Sequence, residues 1–159
     1  MTTSENRVKV QNTRDVDALA ATLLDLIGFL NSPQRDDALL RAASVSIDRA
    51  LFPLLVRLGL HGPLAVVDLA DRVGRDHTTV SRQLAKLEEI GLVERCSLEG
   101  DRRRRGTQLT SEGASTVQAI KQARRSALTH ALASWNSVDR KALSTLTRRF
   151  VDDLAALAI

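Results

Sequence analysis

Apolar residues recur with helical spacing at both ends of this chain. Val16, Leu19, Leu23, Ile27 and Leu30 return at steps of three and four, which predicts one apolar stripe on a helix that opens at Asp15 or Asp17. Leu24 and Leu26 widen the stripe, and Asn31-Ser32-Pro33 stops the helix. The polar residues before it read as a loose arm. A second helix is predicted from about Asp36 or Ser46 to Leu58, with a kink or break at Pro53, because the proline ring removes a backbone donor. The Gly and Pro of LGLHGP at 58–63 close that segment.

In VVDLADRVG, Val66, Leu69, Ala70 and Val73 share one face, and Gly74 suits the position just past a helix end. Asp76 is a fitting N-cap for HTTVSRQLAKLEEI, which Gly91 ends. LVERCSL then alternates as a strand does, a turn follows at Gly100–Gly106, and TQLT returns. The result is a β-hairpin with arginines at its tip. Thr110 or Ser111 opens a long helix that extends as far as Ser134. Asn136 or Ser137 caps a last helix, with Leu143, Leu146, Phe150, Leu154 and Leu157 at steps of three or four.

This order of elements predicts a mainly α fold with a small β-hairpin wing: a winged helix-turn-helix module flanked by N- and C-terminal dimerisation helices. The expected divisions are a flexible arm at 1–14, an N-terminal helical dimerisation part at 15–45, the winged module at 46–113 and C-terminal dimerisation helices at 114–159. Association follows from the terminal stripes. A winged-helix core is too small to cover both, and exposed stripes of that size are a liability on a monomer. Two copies related by a two-fold axis can bury them against each other. Leu19, Leu23, Ile27, Leu146, Phe150 and Leu154 are the expected interface residues. The alternative, that both helices fold back on their own module, stays open.

Composition narrows the function. The chain has 159 residues, 43% hydrophobic, 26% charged and only 3% aromatic, so its core must be built mainly from Leu, Val, Ile and Ala. The net charge is +4 and the pI is about 10.0, a weak pointer to nucleic acid. One cysteine, Cys96, excludes an internal disulfide. The polar N-terminus has no apolar signal region, and no apolar run approaches the roughly 20 residues of a spanning helix. A cytoplasmic protein with no membrane partner is expected. No nucleophile–base–orienter set and no phosphate-cradling GxxxxGK loop stands out, so no enzymatic activity and no cofactor is expected. His61, His77 and His130 are scattered, which disfavours a metal site.

The helix after Asp76 carries the chemistry. Val80, Leu84 and Leu87 fall in one narrow sector that must face the core. The opposite sector holds Thr78, Ser81, Arg82, Ala85 and Lys86, a polar and basic face with small side chains at its front. Such a face can approach a DNA major groove closely. Thr78 and Ser81 can bond phosphates or base edges, and Arg82 can reach guanine or phosphate. Glu88 and Glu89 come late, so contact is expected through the N-terminal half. The bland alternative is a solvated helix face. Arg102, Arg103, Arg104 and Arg105 tip the balance, since a basic hairpin beside a basic helix offers two contacts on one duplex. The hairpin tip would reach the flanking backbone or the narrow minor groove, where the potential is most negative. Asp101 is expected to support Arg103.

These same residues resemble the MarR family of bacterial transcription regulators. The matching marks are DLA at 68–70, TVSR at 79–82, LEEIGLVER at 87–95, DRR at 101–103 and LTSEG at 109–113, in order and at the family's spacing. The resemblance implies recognition residues at Thr78, Thr79, Ser81 and Arg82 and a wing pair at Asp101 and Arg103. It also implies a homodimer that reads a pseudo-palindrome in double-stranded DNA, often as a repressor. A small aromatic or anionic ligand between the dimer helices and the winged module would release the DNA. Glu99-Gly100 before Asp101, the long arginine run and Pro53 depart from the family pattern. Two other functions stay open: a non-specific architectural DNA binder, and a winged-helix module that uses its basic face on an acidic protein.

Overall fold

A computed structural model describes the backbone of residues 2–98 and 101–157 and the side chains of residues 13–98 and 105–157. The helices are α1 (Thr2–Leu30), α2 (Pro33–Ala42), α3 (Phe52–His61), α4 (Val66–Val73), α5 (His77–Glu89), α6 (Ser111–Ala131) and α7 (Ser137–Ala156). A 3-10 turn, Arg49–Leu51, precedes α3, and strands β1 (Val93–Leu98) and β2 (Asp101–Leu109) follow α5. The mainly α winged-helix fold with a two-stranded hairpin is the one expected.

Three local expectations need correction. Segment 1–14 is not a loose arm, because α1 is helical from Thr2. The segment contains no Gly or Pro, so once the apolar part nucleates the helix, propagation through it costs little per residue. The second correction concerns Pro53. No single helix runs through it; α2 ends at Ala42, Ser44 takes a left-handed φ of 55°, and Pro53 lies in the first turn of α3. There its missing N–H would have had no intrahelical partner, so it initiates rather than breaks. Third, Arg102–Arg105 lie within β2 rather than in a turn.

Residues 1–120 form one unit and residues 121–159 a second. The core of the first unit gathers Leu54, Leu55 and Leu58 from α3, Leu69 and Ala70 from α4, Val80, Leu84 and Leu87 from α5, and Leu92, Val93 and Val117. A smaller cluster of Leu40, Phe52 and Ile120 joins α2, α3 and α6. The predicted apolar sector of α5 is fully buried, with Val80, Leu84 and Leu87 all at 0% exposure. Gly74 ends α4 with φ 65°, the left-handed conformation that glycine takes without a Cβ clash. The Arg75 amide then donates to the Ala70 carbonyl at 3.1 Å, which seals the helix end.

β1 and β2 pair antiparallel, with Val93 opposite Leu109 and Cys96 opposite Gly106. The register slips at the distal end: Ser97 faces Arg105 but Leu98 faces Asp101. A Cβ on Gly106 would meet the Leu98 side chain and lie 3.2 Å from the Leu64 carbonyl oxygen, so only glycine fits where the strands leave the body. Beside it, Thr107 donates its amide to the Leu64 carbonyl at 2.9 Å and accepts from the Leu64 amide at 3.1 Å. This extra rung ties the hairpin to the segment between α3 and α4.

In the second unit Asn136 caps α7, accepting from the Asp139 amide at 2.8 Å. No residue of α7 is buried. Leu146 and Leu154 are exposed and Phe150 is half-buried. In the first unit the stripe on α1 is similarly accessible, with Leu19 and Ile27 exposed and Leu23 half-buried.

Thr107 is 1% exposed, and its hydroxyl has no hydrogen-bond partner among the described residues. A buried hydroxyl left unsatisfied costs about 1–3 kcal/mol. Thr107→Val keeps the shape and removes the cost, so it should raise the urea unfolding free energy by about 1 kcal/mol. An unchanged or lowered value would show that the hydroxyl is satisfied in solution.

Candidate nucleic-acid interface

The candidate face is built by α5 and β2. Asp76 starts α5 from an extended conformation, and its Oδ1 accepts the Thr79 amide at 2.8 Å. With Val80, Leu84 and Leu87 turned into the core, the helix presents Thr78, Ser81, Arg82, Ala85 and Lys86 to solvent, all exposed. Thr79 differs: it is half-buried, and its amide serves the cap. Lys86 is already engaged, its Nζ lying 3.4 Å from Asp48 Oδ2. Both side chains of that pair are about half exposed, so it is a weak tie that a phosphate can displace.

Glu88 is not a bare charge on this face. Its carboxylate takes Arg95 Nε of β1 at 3.1 Å, which offsets it and braces the end of α5 against the hairpin. Arg105 is exposed on β2. The side chains of Asp101, Arg102, Arg103 and Arg104 lie outside the described residues, and so does the support of Arg103 by Asp101. Their backbone places them on the distal part of β2.

Two residues of the site escape sequence reasoning. Asp48 caps the 3-10 turn, its Oδ1 accepting the Ala50 amide at 2.9 Å. An Asp two residues ahead of the amide it binds is a local signal for such a turn. The Ala50 amide, and then Lys86, hold the Asp48 carboxyl below its ordinary pKa. Arg75 is the other residue. Its Nη1 donates to the Ala50 carbonyl at 2.7 Å and to Gln83 Oε1 at 2.9 Å. Its partners at 50 and 83 are distant in sequence, so no local pattern could have found them.

The remaining basic and thiol groups stand apart. Arg49 and Arg57 are exposed, and His61 Nε2 lies 3.5 Å from Arg72 Nη1 at the end of α3. Cys96 is half-buried, and burial followed by the Glu94 carboxylate pushes its thiol pKa up, which keeps it protonated at neutral pH. Among the described residues no cluster of His, Cys, Asp and Glu suits a metal ion, and no single helix is long and apolar enough to cross a membrane.

The MarR family model matches residues 47–104, the span from the 3-10 turn to the arginines of β2. No curated protein matches the chain. Among solved structures, a MarR family protein from Bacillus stearothermophilus superposes with a TM-score of 0.78 at 21% identity, covering 90% of this chain and 97% of that one. A MarR transcriptional regulator from Methanosarcina mazei gives a TM-score of 0.62 at 22% identity, over 90% and 99% of the two chains. A probable transcriptional regulator from Pseudomonas aeruginosa is 27% identical, with a TM-score of 0.53 over 80% and 98%. The winged module, residues 47–104, is thus similar to the MarR family, and the solved structures share the fold of nearly the whole chain.

The cap that starts α5 titrates. Hydrogen bonds from the Thr79 hydroxyl, then from its amide, hold the Asp76 carboxyl below its ordinary value of 3.8. A depressed folded-state pKa means that the cap stabilises the fold above that ordinary value and loses the contribution as pH falls through the lower one. The difference in urea midpoint between wild type and Asp76→Ala should be constant near neutrality and should close in acid, below about pH 3.8. A difference that persists undiminished in strong acid would rule out the ionised cap as its source.

Proposed function

We propose that the protein is a cytoplasmic, homodimeric, sequence-specific double-stranded DNA-binding transcription regulator, acting as a repressor on a pseudo-palindromic operator. The observation that carries this reading is the division of α5: an apolar sector wholly buried, and an opposite sector of small, polar and basic side chains open to solvent. The half of α5 that follows Asp76 is free of acidic side chains, as a helix meeting phosphates requires. Thr78, Ser81 and Arg82 read base edges or hold phosphates from the major groove, with Thr79 contributing mainly through the cap. Arg102, Arg103, Arg104 and Arg105 grip the flanking backbone, and Asp101 orients Arg103. Arginine suits that task because its planar fork of donors matches phosphate.

The apolar residues left accessible on α1 and α7 support the dimer, in which Leu19, Leu23, Ile27, Leu146, Phe150 and Leu154 are covered by a second copy. A two-fold dimer sets two recognition helices about 34 Å apart, one turn of DNA. Release by a small aromatic or anionic effector rests on the family resemblance alone.

Duplexes selected from a random pool should converge on an inverted repeat. On that duplex, Arg82→Ala should lose about 1–3 kcal/mol of binding if it pairs a guanine. Replacing Arg102 to Arg105 with Ala should weaken every duplex and flatten the salt dependence by about 0.9 in log–log slope for each phosphate no longer neutralised. Gel-shift titrations in which both variants match wild type would remove this face from the DNA. Equal affinity for all sequences would favour the architectural binder instead.

In sedimentation the wild type should run as a dimer. Leu23→Asp combined with Leu146→Asp should give a folded monomer with weakened operator binding. A wild-type monomer at micromolar concentration would refute the paired arrangement.

A further inference from the structure

We propose that Arg75 is a positioning residue for DNA reading: it clamps the recognition helix to the 3-10 turn Arg49–Leu51 and acts through Gln83 and Ala50, without touching DNA. The inference rests on the DNA-binding reading above and adds to it what fixes the orientation of α5.

Arg75 stands between the left-handed Gly74 and the cap Asp76, one step from the recognition helix. From its place in the chain it looks like one more cation for phosphate. Its side chain is instead half-buried and directed inward. One guanidinium nitrogen, Nη1, donates at 2.7 Å to the Ala50 carbonyl and at 2.9 Å to Gln83 Oε1 in α5. Its amide closes the end of α4 on the Ala70 carbonyl at 3.1 Å. One residue thereby joins both helices of the helix-turn-helix to the turn that leads into α3.

The turn is built to receive it. Asp48 Oδ1 takes the Ala50 amide at 2.9 Å, so both backbone polar groups of Ala50 are engaged. Asp48 Oδ2 faces Lys86 Nζ at 3.4 Å. The recognition helix is therefore tied to the turn at Gln83, by way of Arg75, with the half-exposed Lys86 pair one helical turn further on adding little. A helix held only by its apolar stripe can roll, because hydrophobic contact is non-directional. Directional bonds beside the stripe fix its rotation. Reading base edges demands that, since a site of this kind works within about 0.5 Å and 10–20° of its productive geometry. Upstream, Ser44 holds φ 55° without being glycine, an uncommon conformation that sets the path of the chain into Asp48.

The test uses wild type, Arg75→Ala and Gln83→Leu, titrated over a range of salt on a selected inverted-repeat duplex and on a scrambled one. Arg75→Ala should lose about tenfold on the selected duplex, the worth of one base contact. It should keep its affinity for the scrambled duplex and its salt slope. Gln83→Leu changes no charge and should shift the selected duplex in the same direction. A slope lower by about 0.9 in Arg75→Ala makes it a direct phosphate ligand and overturns the proposal. So does wild-type affinity for the selected duplex in Arg75→Ala, whatever Gln83→Leu does. Should Arg75→Ala fail to fold, Gln83→Leu decides by its affinity: a loss confined to the selected duplex supports the proposal, and wild-type affinity overturns it. A wild type that prefers no sequence sinks the DNA reading and this inference together. A selective wild type matched by Arg75→Ala sinks this inference alone.

Discussion

The burial of Val80, Leu84 and Leu87 against α3 and α4 is the constraint on which the rest of the structure depends. Three side chains at helical spacing, all without solvent exposure, decide which side of α5 is buried. Its polar sector must then face outward, because a helix has two sides and one is spent. The exposed face is thus a geometric by-product of core packing. What evolution could vary freely is the chemistry written on it: short hydroxyls at the front, one arginine, one alanine. Around this, polar contacts refine what apolar contacts cannot. Asp76 sets where the helix starts, Glu88 and Arg95 join its far end to β1, and Arg75 links it through Gln83 to the 3-10 turn.

Much of this is legible in the sequence because the signals are local. The run from Val66 to Leu109 announces its helices by apolar spacing, its breaks by Gly74 and Gly91, and its cap by Asp76. Each of those signals acts within about five residues. Elsewhere the deciding physics is of another kind. Pro53 reads as a break because it lies in an apolar stretch, yet a proline at a helix start and one in a helix middle look alike until the preceding turn is known. The polar N-terminal residues carry no stripe, but helix propagation needs no stripe once begun. The extent of β2 into the arginine run depends on pairing with β1, a contact between segments rather than within one.

The candidate site divides in the same way. Helical projection alone places Thr78, Ser81, Arg82 and Ala85, since projection follows from the spacing of Val80, Leu84 and Leu87. Arg75 and Asp48 are invisible to it because their meaning lies in partners brought close only by the fold. Lys86 is legible as a cation on the right face, but its pairing with Asp48 is not.

The rung between Leu64 and Thr107 carries a further consequence. Its two bonds join main chain to main chain, so they are indifferent to which side chains occupy those positions. Everything beyond Gly106 can be rewritten, in charge or in length, while the root of the ribbon keeps its seat on the body. A lineage can therefore retune what the distal strand touches without loosening the joint, and proline at either position is the substitution that joint cannot absorb.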